Sequence, residues 1–251
     1  MTSVIHIAEL TSPQFDRLVQ AGNLVVLLPV GSVEPHGPHM MLATDTVISI
    51  GAIKRATKAL RNAGYQPALA PSIPYGVTEC AAAFPGAISV APQVLSNFIA
   101  AVIGGYLGQG AIHVCVVNNH LEPDQDRAVR EGVSRHPSQA ASVACPLERR
   151  WARTLSAEFK SGACHAGCYE TSLMLAERPS GVDEKICRQL SKNEISLSAA
   201  LKVGVCDFAE MGLTQAYSGN PAAASREAGE LQYERLAAMI STTVIEALLT
   251  R

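Results

Sequence analysis

Apolar residues along this chain fall into two alternating rhythms. Short runs such as "NLVVLLPV" (23–30) and "AIHVCVVNNH" (111–120) are close to continuously apolar, as strands buried on both faces are. The longer stretches between them place apolar residues every three or four positions. This order predicts βαβ units on a mainly parallel sheet. After the first strand, "DTVISIGAIKRATKALRNAG" reads as a helix closed by Gly64 at its C-terminal cap, and "QPALAPSIPYG" as a second strand and loop. "APQVLSNFIAAVIGGYLGQG" is a helix feeding the strand at 111–120, and "PDQDRAVREGVSRH" starts another helix with Pro123 and Asp124 at its mouth. The polar piece "RRWARTLSAEFKSGACHAGC" leads to "YETSLMLAERPSGV", an amphipathic helix stopped by Pro179. A long last helix, opening at Pro221, is expected to pack back on the sheet. The architecture is α/β, and with no repeat, low-complexity tract or linker in 1–251, one domain is the simplest organisation.

Composition narrows the partners. The 251 residues are 48% hydrophobic and 17% charged with a formal net charge of −2, so no strong field draws nucleic acid or an anionic membrane, and a small molecule is the expected partner. No run of about 18 apolar residues exists, and "MTSVIHIAELTSPQF" has neither the basic start nor the apolar stretch of a signal peptide, so the cytoplasm is the default location. Seven scattered cysteines without a CxxC pair point to reduced thiols.

Against this background "VGSVEPHGPHMMLATDTV" (30–47) stands out, because it sets Glu34, His36 and Asp45 directly behind a buried strand, where an unpaired carboxylate is costly. His120 and Glu122 repeat the arrangement behind the second buried strand. Carboxyl ends of strands are where open α/β sheets bind ligands, and two potential ligands separated by one residue can project to the same side. Three carboxylates and two imidazoles suit divalent metals such as zinc or manganese, and an aspartate can bridge two ions, so two cations are expected. A lone glutamate-x-histidine pair is more often a surface arrangement; two pairs behind two buried strands shift the balance. His39, near a tight turn, is expected to be structural. His6, His113 and His136 lack acidic neighbours at useful spacing and read as core or surface histidines.

These residues resemble the creatininase (creatinine amidohydrolase) family. "LPVGSVEPHGPHMMLATD" is similar to its N-terminal signature, "FPGAIS" to its phenylalanine-proline-glycine-threonine loop, and "VVNNHLEP" to its asparagine-glycine-histidine segment. "HAGCYETSLMLAERPSGV" and "YSGNPAAASREAG" are similar to its later motifs, in order, over nearly the whole chain. The resemblance implies a metal-dependent hydrolase with a three-layer αβα sandwich and a homo-oligomeric, often hexameric, assembly. It implies a binuclear site holding two divalent ions, Zn and/or Mn with Fe as a further option. Carried onto this chain, Glu34, Asp45 and His120 hold one metal and His36, Asp45 and Glu122 the other, with Asp45 bridging. His165 contacts substrate and moves a proton, and Glu170 orients an imidazole from behind. Thr78, Leu121 and Ser161 join His165 in the substrate pocket. The histidine-x-glutamate form of "HLE" is closer to creatininases than to deformylase or peptide-trimming relatives, which points to cyclic amides.

The departures concern the substrate wall. Creatininases carry a tryptophan and an acidic residue shortly before the histidine matching His165, where this chain has "KSGAC"; Trp151 lies well upstream, Cys164 replaces a glutamate and Leu121 a tyrosine. The expected reaction is hydrolysis of a C–N bond in a small cyclic amide or imide by a metal-bound hydroxide, with His165 protonating the leaving nitrogen. Alternatives are a formamide deformylase, a peptide-trimming enzyme, or a non-catalytic metal-binding protein of this fold. Cys164 and Cys168 around His165 offer a thiolate reading, but neighbours on an extended strand point to opposite faces, which places Cys164 poorly for proton exchange with His165. Ser32 lacks the glycine-x-serine-x-glycine spacing of a nucleophile elbow.

Overall fold

The computed structural model describes residues 4–249. Five strands, β1 (Ile5–His6), β2 (Leu24–Val30), β3 (Gln66–Leu69), β4 (His113–Asn118) and β5 (Ala141–Ala144), form one sheet in the order β1-β3-β2-β4-β5. Every neighbouring pair is parallel. The helices are α1 (Ser12–Gln20), α2 (Thr44–Asn62), α3 (Pro92–Gly108), α4 (Pro123–Ser134), α5 (Arg149–Ala152), α6 (Ala157–Ser161), α7 (Cys168–Glu177), α8 (Glu184–Cys187), α9 (Leu197–Lys202) and α10 (Arg226–Leu249).

All seven residues of β2 and all six of β4 are buried, because both faces of the sheet are covered. Val25, Leu27, Cys115 and Val117 face one way, into a core shared with α2, α7 and α10. Leu24, Val26, Leu28, Val30, Val114 and Val116 face the other, into a core shared with α1, α3 and α4. The period-two alternation of side chains thus divides one apolar run between two helix layers, giving the α/β sandwich. α2 follows β2 onto one face while α4 follows β4 onto the other, so the connections leaving these adjacent strands diverge and open a crevice at their carboxyl ends.

Most expected elements are present, with instructive differences. Gly64 does close α2, at φ +87 just past its cap. The last helix starts at Arg226 rather than Pro221: Pro221–Ala223 forms a 3-10 turn, Ala224 is extended, and the Ser225 hydroxyl then accepts the amide of Ala228. α7 is buried on most sides rather than amphipathic, being wedged between α2 and α10. Gly229 permits that wedge, since a Cβ there would lie 1.9 Å from the carbonyl oxygen of Ser172. The hydropathy pattern leaves β1, α1 and β5 unassigned. Among the described residues no helix is long and apolar enough to cross a membrane.

Candidate metal centre and catalytic cavity

Three loops and two helix starts converge on the crevice. Glu34 and His36 sit on the loop after β2, Asp45 in the first turn of α2, Thr78 on the loop after β3, and His120 on the loop after β4. His165 precedes α7 and Glu170 lies in its first turn. First-turn positions suit Asp45 and Glu170, because the helix N-terminus favours negative charge.

Each of the three imidazoles is tied at its far nitrogen to a backbone carbonyl. His36 Nδ1 donates to the carbonyl of Glu34 (3.2 Å), His120 Nε2 to that of Val77 (2.6 Å), and His165 Nε2 to that of Pro35 (2.9 Å). A carbonyl can only accept, so these bonds fix the tautomers and leave His36 Nε2, His120 Nδ1 and His165 Nδ1 as the nitrogens facing inward. His36 Nε2 lies 3.2 Å from Asp45 Oδ1, 3.5 Å from Glu170 Oε2 and 3.7 Å from Glu34 Oε1. His120 Nδ1 lies 3.1 Å from Glu34 Oε1 and 3.2 Å from Asp45 Oδ2. His165 Nδ1 is 3.8 Å from Glu34 Oε1.

These short separations are not all hydrogen bonds. Both carboxylate oxygens of Asp45 and Nε2 of His36 are buried without a hydrogen-bond partner. Leaving three such atoms unsatisfied costs about 1–3 kcal/mol each, more when charged. A divalent cation between them removes that cost, and the donor chemistry fits one. Glu34, Asp45 and His120 offer ligand atoms all within 4.8 Å of one another, and so do His36, Asp45 and Glu170. A third group of the same span, Glu34, His36 and His165, overlaps both. Asp45 turns Oδ1 to His36 and Oδ2 to His120.

The charges respond accordingly. Burial opposes charging His36, but Asp45, Glu170 and Glu34 overturn this and push it up to about 10. His120 is likewise raised against burial, by Glu34 and Asp45. Burial alone would raise Glu34 and Asp45; the imidazoles beside them, His120 for Glu34 and His36 with His120 for Asp45, instead hold both below the usual carboxylate range. Glu170 is pushed up to about 8, chiefly by burial. His165 goes the other way, down to about 4, through burial and the neighbouring His36.

The remaining expected site residues divide. Glu170 enters the ligand cluster itself rather than standing behind it, while Oε2 also accepts the amide of Ala166 (2.6 Å). Glu122 lines the cavity but stays out of the cluster, its two oxygens accepting the amides of Glu79 (3.0 Å) and Cys80 (3.1 Å). Thr78 is buried and donates to Glu34 Oε2 (2.7 Å), so it steadies a carboxylate instead of facing the cavity. Leu121 lines the cavity; Ser161 does not, being exposed and bonded to the carbonyl of Glu158. His39 is bonded to Thr171 on α7, and His113 and His136 to groups outside the site. The thiol of Cys164 is pushed up by burial and by Glu170, against a thiolate role. Sequence reasoning missed Gln125, Asn118 and Val77, which with His120 close a hydrogen-bonded ring, and missed the cavity's upper wall. The wall carries no motif; its signal was only apolar residues on the short elements between β5 and α10.

Above the cluster lies a cavity of about 280 Å³ whose floor is Glu34, Asp45, His120, His165 and Glu170. His165 is sandwiched there, its ring centroid 4.6 Å from that of His36 and 4.7 Å from that of Phe208.

The sequence pattern of the creatininase family, described as creatinine amidohydrolase, matches residues 8–244. A mycofactocin precursor peptide peptidase of Mycolicibacterium smegmatis is 27% identical over 223 residues, 88% of this chain and 82% of that protein. A creatinine amidohydrolase of Pseudomonas putida is 27% identical over 207 residues, covering 73% and 75%. A solved structure titled "Creatininase Mn" superposes with a TM-score of 0.76 at 23% identity over 97% of this chain and 98% of that one. A creatininase titled as a Zn-Zn type gives 0.75 at 22% identity over 98% of each. At these identities the structural likeness establishes the fold.

Proposed function

The chain belongs to the creatininase family, and from that premise we propose that it is a binuclear-metal-dependent amidohydrolase that cleaves a C–N bond of a small amide, cyclic amides and imides foremost. The observation that carries the reading is Asp45, whose two buried, unpartnered oxygens face two separate ligand sets. Glu34, Asp45 and His120 would hold one divalent ion, zinc or manganese, and His36, Asp45 and Glu170 the other. Such ions supply Lewis acidity for a carbonyl and lower the pKa of water toward neutrality.

The protein's own groups do the rest. Thr78 and the Val77 carbonyl fix the directions of Glu34 and His120. His165, held neutral by burial with Nδ1 inward, accepts the proton released when water adds to the carbonyl carbon and returns it to the leaving nitrogen. The C–N bond breaks, the carbonyl carbon keeps the hydroxyl, and the nitrogen leaves protonated. Phe208 and Leu121 exclude bulk water above the reacting atoms.

The test is elemental analysis of purified protein followed by a screen of lactams, cyclic imides and formamides. About two divalent ions per chain, with activity abolished by chelation and restored by metal, is expected, together with weak or no turnover of creatinine. Full activity without metal, or efficient creatinine hydrolysis, overturns the corresponding part. Peptide trimming is the second reading, favoured by the peptidase that matches 88% of this chain; release of terminal residues from peptides at rates above those on cyclic amides would establish it instead.

A further inference from the structure

The wall of the cavity differs in character from its floor. Leu147, Leu197, Leu201, Phe208 and Met211 surround the space above the ligand cluster, and the one lysine or arginine among the lining residues is Lys160. Lys160 is exposed on α6 and is in no ion pair among the described residues, while the lining carboxylates, Glu34, Asp45, Glu122 and Glu170, are themselves engaged by imidazoles or backbone amides. The rim is a built feature rather than a loose loop. α9 is stitched to the end of α6 by the Ser196 hydroxyl donating to the carbonyl of Ser161 (2.7 Å) and by the Leu197 amide donating to that of Gly162 (2.9 Å). The tip of α6, with Lys160, is thereby held beside Leu197 and Leu201.

A small ring whose edges are all donors and acceptors would meet this wall badly, because its polar atoms would be desolvated without partners. An apolar group of leucine or phenyl size would instead remove apolar surface on both sides from water. An unpaired ammonium at the rim of such a pocket is a recognition element for an anion, worth more there than on an open surface.

We propose that the substrate is an amide, open-chain or cyclic, that carries a branched aliphatic or aromatic group and a carboxylate, with the apolar group against the wall formed by α9, Phe208 and Met211 and the carboxylate on Lys160. This rests on the amidohydrolase reading above and adds the selectivity of the same site.

Two matched pairs test it on metal-loaded protein: N-benzoylglycine against its carboxamide, and 5-benzylhydantoin-3-acetic acid against its carboxamide, with creatinine alongside. Binding is read separately with 3-benzoylpropanoate, the ketone isostere of N-benzoylglycine, and its carboxamide, through the fluorescence of Trp151, which neighbours the lining residue Ala152. The acid is expected to bind about tenfold tighter than its amide, and the acid of at least one pair to show a kcat/KM about tenfold higher. Lys160→Gln should bring both ratios close to one, and Lys160→Glu should invert them in favour of the carboxamides. Replacing benzoyl by acetyl should lower kcat/KM at least tenfold. Equal binding of acid and carboxamide, unchanged ratios in Lys160→Gln, or a preference for creatinine overturns the inference. If the acid binds selectively but nothing in the panel is hydrolysed, the selectivity stands and the amidohydrolase reading falls.

Discussion

Gln125 touches none of the ligand atoms, yet its replacement should weaken metal binding. Its Oε1 accepts the amide of Val77 (2.8 Å) and its Nε2 donates to Asn118 Oδ1 (3.3 Å). Asn118 Nδ2 donates to the carbonyl of His120 (2.9 Å), and His120 Nε2 donates to the carbonyl of Val77 (2.6 Å), which closes the ring. All four residues are buried. Gln125→Leu keeps the bulk but strands the Val77 amide, at about 1–3 kcal/mol. For a chain of this size that lowers Tm by roughly 2–12 °C. It also frees Val77, and with it the acceptor that aims His120, so metal affinity should fall about 10- to 100-fold. Gln125→Glu keeps an acceptor for Val77 and should lose less affinity. The assay is competition for zinc with a chromophoric chelator, beside thermal melts, with Val129→Ala as a buried control in the same helix layer. If Gln125→Leu melts lower but binds zinc as tightly as the parent, or if Val129→Ala loses as much affinity at equal destabilisation, the ring supports the fold alone and the reasoning fails.

Three further outcomes are expected. Asp45→Ala should be the most damaging ligand change, leaving both cations short of an oxygen, and elemental analysis should find less than one ion per chain; two retained ions would remove the bridging assignment. His165→Ala should retain its metal while turnover drops about 10²- to 10⁴-fold, whereas loss of a metal equivalent would make His165 a ligand. Chelated protein should lose stability as pH rises from about 6.5 to 10, because Glu170 and His36 have folded pKa values of about 8 and 10, above their unfolded 4.5 and 6.5, and their protonated forms favour the folded state; the Glu170 contribution is complete below about pH 4.5 and gone near 8, that of His36 complete below about 6.5 and gone near 10. Melting curves that are flat across that range would contradict it.

How much of this was legible in the residues depends on distance along the chain. β2 and β4 announce themselves because burial on both faces demands unbroken apolar runs, and Glu34, His36 and His120 follow them within a few positions. Glu122 and Glu170 show the limit. Spacing pairs Glu122 with His120, but Glu122 stands at the residue before α4 beside the loop from β3, and two amides of that loop take its oxygens. Glu170 reaches the cluster only because α7 is wedged between α2 and α10, and α2 lies more than a hundred residues before α7 in the chain. Two-residue β1 is too short for any periodicity to register, and β5, Ala141–Ala144, is built of the small residues Ala, Ser, Val and Ala, which carry little apolar signal. Ser161 illustrates a finer failure: its neighbours Lys160 and Gly162 line the cavity, while its own side chain turns back on α6.

The floor of the cavity is drawn from residues 34–45, 120 and 165–170, whereas most of its wall comes from short helices and loops between β5 and α10. The ligand imidazoles are aimed by main-chain carbonyls of Glu34 and Val77, and the side chain that steadies Val77 is Gln125 on α4, away from the cavity wall. The ligand cluster and most of the wall are thus built from different segments of one chain. Exchanging wall residues that touch neither His165 nor the start of α7, such as Leu147, Leu197, Leu201 and Met211, would therefore change the molecule that is accepted while leaving the ligand cluster in place, whereas Phe208, packed on His165, and Glu158, bonded to the amide of Tyr169, belong to both parts.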